Sequence, residues 1–179
     1  NYEDVSAMPR LASMLAYPSL FHGQIRVTEA KINESRSFEG EAIKKLFLKL
    51  SLKASLPTTF SCRANEIYLS AGDTSASLAV RLTDGEMKYF YKDYRDYYYL
   101  PEEDIAIHKS VAVYTPKAHR QPAKASNCYA KKSGSFLPQY NSSLITPEFF
   151  SAYRDKNSYF LCEEALCENL PLLTRYAKL

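Results

Sequence analysis

Apolar residues recur along this chain with two different periods. Val5, Met8, Leu11 and Leu15 return at helical spacing with Ala12 beside them, which predicts a helix over residues 3–17. Pro9 is tolerated only in a first turn, so either Ser6 caps a later start or the helix kinks there. Residues 24–33 carry the β-branched content and polar alternation of a strand. Residues 39–54 fit both periods. Leu46, Leu48, Leu50 and Leu52 alternate as in a strand, whereas Ile43, Leu46, Phe47, Leu50 and Ala54 share one helical face. The stretch is long for a strand and rich in Ala, Leu, Lys and Glu, so the expectation is a helix with Lys44, Lys45, Lys49 and Lys53 towards solvent.

Beyond Leu56 the texture changes to short strands with turn signals. Asp84-Gly85 is the pair that a tight hairpin turn prefers. A two-residue loop there pairs Leu82 with Met87, Val80 with Tyr89 and Leu78 with Tyr91 on the core side, and sets Arg81 opposite Lys88. The flanking segments 58–63 and 66–71 extend the same antiparallel sheet. Pro101 and the acids Glu102, Glu103 and Asp104 suit a helix start, predicting a helix over 101–114 with Ile107, Val111 and Tyr114 inward. Residues 115–147 read as loop, broken by prolines. Shorter helices are expected over 147–154 and 162–177, the second interrupted by Pro171. The pattern predicts an α+β fold: an antiparallel sheet with the hairpin at 78–91 and several helices packed on it.

The 179 residues allow one large or two small domains. An apolar share of 46% against 24% charged excludes a disordered chain. No apolar run is long enough for a membrane-spanning helix, and no signal-peptide pattern is present, so no membrane partner is expected. Cys62, Cys128, Cys162 and Cys167 have no zinc-site spacing and read as reduced, mostly buried thiols of a cytoplasmic protein. The even count leaves room for disulfides in an extracellular module. The start at Asn1, without Met, suggests a processed chain or part of a longer one.

Charge sorted by segment says more than the +3 total. Between Ile105 and Pro147 there is no Asp or Glu, while Lys109, Lys117, Arg120, Lys124, Lys131 and Lys132 are all present. Such a loop, with Asn127, Ser133 and Gly134, suits a phosphate backbone, where each neutralised phosphate releases counterions. Lys117, Arg120, Lys124, Lys131 and Lys132 are the candidate backbone contacts. Tyr129 and Tyr140, with Phe136, are candidates for base stacking. The plain alternative is a solvated loop offsetting acids elsewhere. The segment 88–101 sets seven aromatics among charges, but Asp93 and Asp96 there repel phosphate. Acid–base groups are scattered: His108 follows Asp104 by one helical turn, with no nucleophile beside the pair. Only five glycines are available, and no phosphate-binding loop or nucleophile elbow occurs. Alone, the chain does not read as a complete enzyme.

The opening NYEDVSAMPRLASML resembles the closing motif of ribonuclease-H-like 3′–5′ exonucleases of the DnaQ superfamily, in the bacterial branch of predicted exonucleases. In that motif His or Tyr is followed by Asn-x-x-Asp and a hydrophobic residue. Asp4 would then be the last metal-binding carboxylate and Val5 the hydrophobic residue; Pro9 departs from the motif's unbroken helix. The runs YYYLPEEDIAIHKSVA and NCYAKKSGSFLPQ are similar to an extension that follows such nuclease domains in some Firmicutes proteins.

The resemblance implies residues 1–17 as the tail helix of an upstream nuclease domain and 18–179 as a C-terminal accessory domain. The first three carboxylates would lie upstream, so Mg²⁺ or Mn²⁺ belongs to a full-length nuclease and no cofactor is expected in this chain. The expected role is noncatalytic: holding nucleic acid or docking on the catalytic domain. A protein-interaction or scaffold module, using its Tyr-rich sheet face, is the second expectation.

Overall fold

The computed structural model describes Met8 and residues 14–22, 24–36, 42–140 and 144–178. The predicted helix over 3–17 falls mainly outside the described residues, and so does Asp4. The expected α+β architecture is not what forms. Described residues are mostly antiparallel strand, with small helices, so the fold is β-rich. The chain divides into two compact units. One is built from both ends of the chain, up to Thr83 and from Cys162 on; the other is Asp84–Leu161.

In the first unit three strands, β1 (Ile25–Arg36), β2 (Ala42–Ala64) and β3 (Ile67–Arg81), form a sheet in that order. The strand expected over 24–33 is therefore present. The helix expected over 39–54 is not, because its described residues, 42–54, are the first half of β2. Burial follows period 2 there: Leu46, Leu48, Leu50 and Leu52 are all buried, whereas Lys49, Ser51 and Lys53 are exposed. A helix would have put Leu48 on the solvent face. Length was the misleading signal, since register shifts between Ser51 and Leu56 and between Leu56 and Phe60 let one strand run past ordinary limits.

The expected hairpin at 78–91 also fails. Leu78 and Val80 pair with Leu48 and Leu46 of β2, and Arg81 stands opposite Lys45. The leucine row of β2 offers those residues a deeper core than the tight turn would have done. Asp84 and Gly85 lie instead within a strand of the second unit, where Gly85 takes φ 153°, a conformation costly for residues with a Cβ. The tight loop forms at Asn65-Glu66, between the paired residues Ala64 and Ile67, with Asn65 at φ 49°. The predicted segments 58–63 and 66–71 are its two arms.

Helix α1 (Ala16–Phe21) belongs to this unit, and the Tyr17 hydroxyl donates to Thr58 O at 3.2 Å. The predicted helix over 162–177 appears as a 3-10 turn at Glu164–Glu168 and a helix starting at Leu170, with Pro171 in its first turn where no donor is lost. Asn169 caps that helix by accepting from Leu172 N. Leu173 and Tyr176 are buried, and Thr174 Oγ1 accepts from Val27 N at 3.0 Å, which ties the C-terminal helix to β1.

The second unit holds two small sheets. Strand β4 (Thr83–Phe90), which begins at the junction, joins β8 (Tyr129–Gln139) and β9 (Ser158–Leu161) in the order β4-β8-β9. β5 (Tyr97–Leu100) lies between β6 (Ile105–His108) and β7 (Gln121–Pro122). Met87, Phe136 and Phe149 form one core; Ala106, Ala123 and Cys128 form another, closed over by Tyr91, Tyr94, Tyr97 and Tyr99.

The helix expected over 101–114 is replaced by a turn at 101–104, strand β6 and the single turn α2 (Lys109–Ala112). Ile105–His108 pairs residue for residue with the tyrosine strand β5, an option invisible to local propensity. Residues 147–154, also expected as a helix, contain isolated bridges at Phe149 and Phe150 instead. The helix that closes the first unit is α3 (Leu170–Tyr176). No helix among the described residues is long and apolar enough to cross a membrane.

Candidate nucleic-acid interface

The acid-free segment 105–147 does not remain one basic loop. It is divided between a carboxylate hub and an exposed surface, and its candidate residues part accordingly.

The hub is Asp104, held at φ 53° in the turn after β5. Its carboxylate accepts from the Tyr99 hydroxyl at 2.5 Å, from the Tyr129 hydroxyl, and from Lys131 Nζ at 2.7 Å. Tyr129 and Lys131 stand two apart on β8 and so project from the same face. The Lys131 ammonium, then the two phenols, hold the Asp104 carboxyl well below the usual carboxylate range. Burial and the adjoining carboxylate push the Tyr129 phenol up, and Asp104 raises Lys131 in turn. Glu86 adds a second carboxylate 3.6 Å from Lys131. Tyr129 is buried, edge-on to Phe90, with Lys88 Nζ 4.3 Å from its ring centre. Both residues are thus committed internally. A charge count along the chain misses this, because the acids that neutralise Lys131 precede the acid-free segment.

The exposed surface is the stretch 108–120. Its ends meet where the Arg120 guanidinium donates to Ala112 O and lies 4.9 Å from the Tyr98 ring centre. Lys109 Nζ is 5.8 Å from that same ring. Tyr98 is singled out by alternation on β5: Tyr97 and Tyr99 pack into the core, so Tyr98 faces the other way. Val111, Val113 and Tyr114, expected to face inward in part, are exposed, Tyr114 by 89%. Lys117 stands exposed in a 3-10 turn. Among the described residues no carboxylate lies within 4.0 Å of Lys109, Lys117 or Arg120. The adjoining His119 is paired to Glu102, with Nδ1 2.9 Å from Oε1.

Lys124 and Lys132 are exposed but lie outside this loop. Lys124 is in the turn closed by Asn127, whose Oδ1 accepts from Lys124 N at 2.6 Å. Lys132 projects from the face of β8 opposite Lys131. Tyr140 is 52% exposed just past the end of β8, and Phe136 is fully buried. The Asp104–His108 pair does not form, since Asp104 is occupied and His108 Nδ1 accepts from Ser110 N at 3.2 Å.

In the first unit the pairing of β2 with β3 gathers a basic patch. Lys45, Arg63 and Arg81 surround Phe47 and Tyr68, with Glu66 3.8 Å from Arg81. Its members come from two strands paired across the sheet, Lys45 opposite Arg81 and Arg63 opposite Tyr68, so no spacing along the chain announces it.

On the 108–120 surface the Ser110 hydroxyl lies 2.6 Å from His108 Nδ1. The Cys128 thiol is pushed up to about 11 and the Cys162 thiol to about 12, both chiefly by burial, so neither offers a thiolate at neutral pH. Cys62 is exposed and Cys167 half-buried, and all four are free thiols. Among the described residues no group of three or more His, Cys, Asp or Glu side chains is arranged to hold a metal ion. No protein-family model, no curated protein and no solved structure matches the chain.

Proposed function

We propose that Asp84–Leu161 is a noncatalytic module that binds single-stranded nucleic acid through the surface at 108–120, with the chain acting in the cytoplasm beside a nuclease domain. One observation carries this reading: the highly exposed Tyr114 ring lies in a loop whose cations Lys109, Lys117 and Arg120 meet no carboxylate among the described residues. Tyr114 offers a free face to a base, and stacking of this kind tolerates any sequence. Arg120, already held by the Tyr98 ring and by Ala112 O, presents a pre-oriented guanidinium, so little of its freedom is lost when it meets a phosphate. The accessory role and the upstream catalytic domain rest on the resemblance of the opening residues to the exonuclease motif.

Fluorescence anisotropy with a labelled oligo-dT and a matching RNA, at two salt concentrations, tests the proposal. Three neutralised phosphates on a single strand correspond to a log–log salt slope of about −2, and the K109A/K117A/R120A variant should flatten it. Absence of binding at low salt, or a slope unchanged in the variant, contradicts the reading. Exposed Val111 and Val113 favour the second reading, a protein-interaction module, which predicts partner binding insensitive to salt. Robust Mg²⁺- or Mn²⁺-dependent degradation by the pure chain would contradict the noncatalytic assignment.

A further inference from the structure

The tyrosine-rich segment contains a second concavity whose chemistry is opposite to that of the basic loop. It is an open cleft of about 390 Å³ in the second unit, within the size range of small-ligand sites. Its walls are rings. Tyr91 and Tyr97 stack with centres 4.4 Å apart and planes 18° from parallel. Tyr89 stands edge-on to Tyr91 at 5.4 Å and 89°, and His108 edge-on to Tyr97 at 5.4 Å and 88°. Perpendicular rings at both ends of a stacked pair make corners where two aromatic surfaces face the same volume.

Asp93 and Asp96 line the same cleft from the 3-10 turn that joins β4 to β5. Among the described residues neither carboxylate has an ion-pair partner within 4.0 Å, although Lys92 shares the rim. The charged groups of the lining therefore sum to −1 with His108 neutral, and a phosphate would be repelled. A small hydrated metal ion is poorly served too, because ring faces cannot replace its oxygen ligands. A cation that sheds water easily and carries apolar substituents gains from both parts: methyl groups against ring faces, positive charge towards the ring quadrupoles and carboxylates.

We propose that the cleft framed by Tyr89, Tyr91, Tyr97 and His108, with Asp93 and Asp96 at its rim, binds a methylated ammonium group. Free choline-like molecules and trimethylated lysine side chains share that chemistry. Phenols are neutral at pH 7 and burial pushes those of Tyr91 and Tyr97 further up, so they add no charge of their own beyond the two carboxylates.

The test is NMR titration of the full chain with ring-labelled tyrosine, using choline, its uncharged isostere 3,3-dimethyl-1-butanol, and N-acetyl-trimethyllysine amide. Saturable shifts confined to a few tyrosine rings are expected with at least one cation below about 10 mM, and none with the isostere at equal concentration. D93N/D96N, which preserves side-chain shape, should weaken the cation about tenfold. The tighter of the two cations identifies the source, free metabolite or modified protein. No saturable shift with either cation, equal shifts with the isostere, or unchanged affinity in D93N/D96N would overturn the proposal. The isostere comparison on the unaltered chain decides the matter even if the double variant folds poorly.

Discussion

Asp104 shows how far a single side chain can depart from its local context. Three consecutive acids after a proline read as the start of a helix, yet Glu102 reaches His119 and Asp104 receives two phenols and an ammonium. Nothing in the neighbouring sequence announces those partners, because Tyr129 and Lys131 come from a strand some 25 residues on. The consequence is measurable. The folded state holds the Asp104 carboxyl below its ordinary value, so its contribution is fully present above the unfolded pKa of about 4. It is lost as pH falls towards the lowered folded value. D104N should therefore destabilise the second unit at pH 7 by roughly 1 kcal/mol, a figure reduced for the side chain's partial exposure. Urea unfolding of both proteins should show that difference shrinking between pH 5 and pH 2. A difference independent of pH would mean that the carboxylate's charge is not what the hub uses.

At the scale of elements, the strand over 24–33 was legible from its alternation, and 58–63 and 66–71 were legible as strands although their turn at Asn65 was not. β2 was misjudged because two periods fitted the same leucines and length broke the tie the wrong way. The helix at 101–114 failed for a different reason: β6 is stabilised by pairing with the tyrosine strand, a non-local gain that outweighs a favourable helix start. The two readings of β2 make opposite demands on Leu48, which is buried in the strand and would be exposed on the helix. L48A should cost about 2–5 kcal/mol, the usual range for truncating a buried leucine. Chemical denaturation checks it; a loss below about 0.5 kcal/mol, as for an exposed site, would contradict the strand register.

For the molecule as a whole, the sequence shows an acid-free basic stretch but not how the fold divides it. Of the five candidate backbone cations, Lys117 and Arg120 share one exposed loop, Lys131 is paired with Asp104, and Lys124 and Lys132 stand apart. Tyr129, chosen for stacking, is buried, whereas Tyr98 and Tyr114 were passed over or expected in part to be core. Strand alternation decides such questions, and it becomes readable only once the pairing partner is known. The second unit thus carries an exposed basic-aromatic loop and a separate acidic-aromatic cleft, two surfaces of opposite charge built from one tyrosine-rich segment. Photocrosslinking of the full chain to an oligonucleotide containing 5-iodouracil, followed by peptide mass mapping, locates the bound base directly. Adducts are expected on Tyr114, with Tyr98 the next site; adducts confined to other tyrosines, such as Tyr68 or Tyr89, would contradict binding at 108–120.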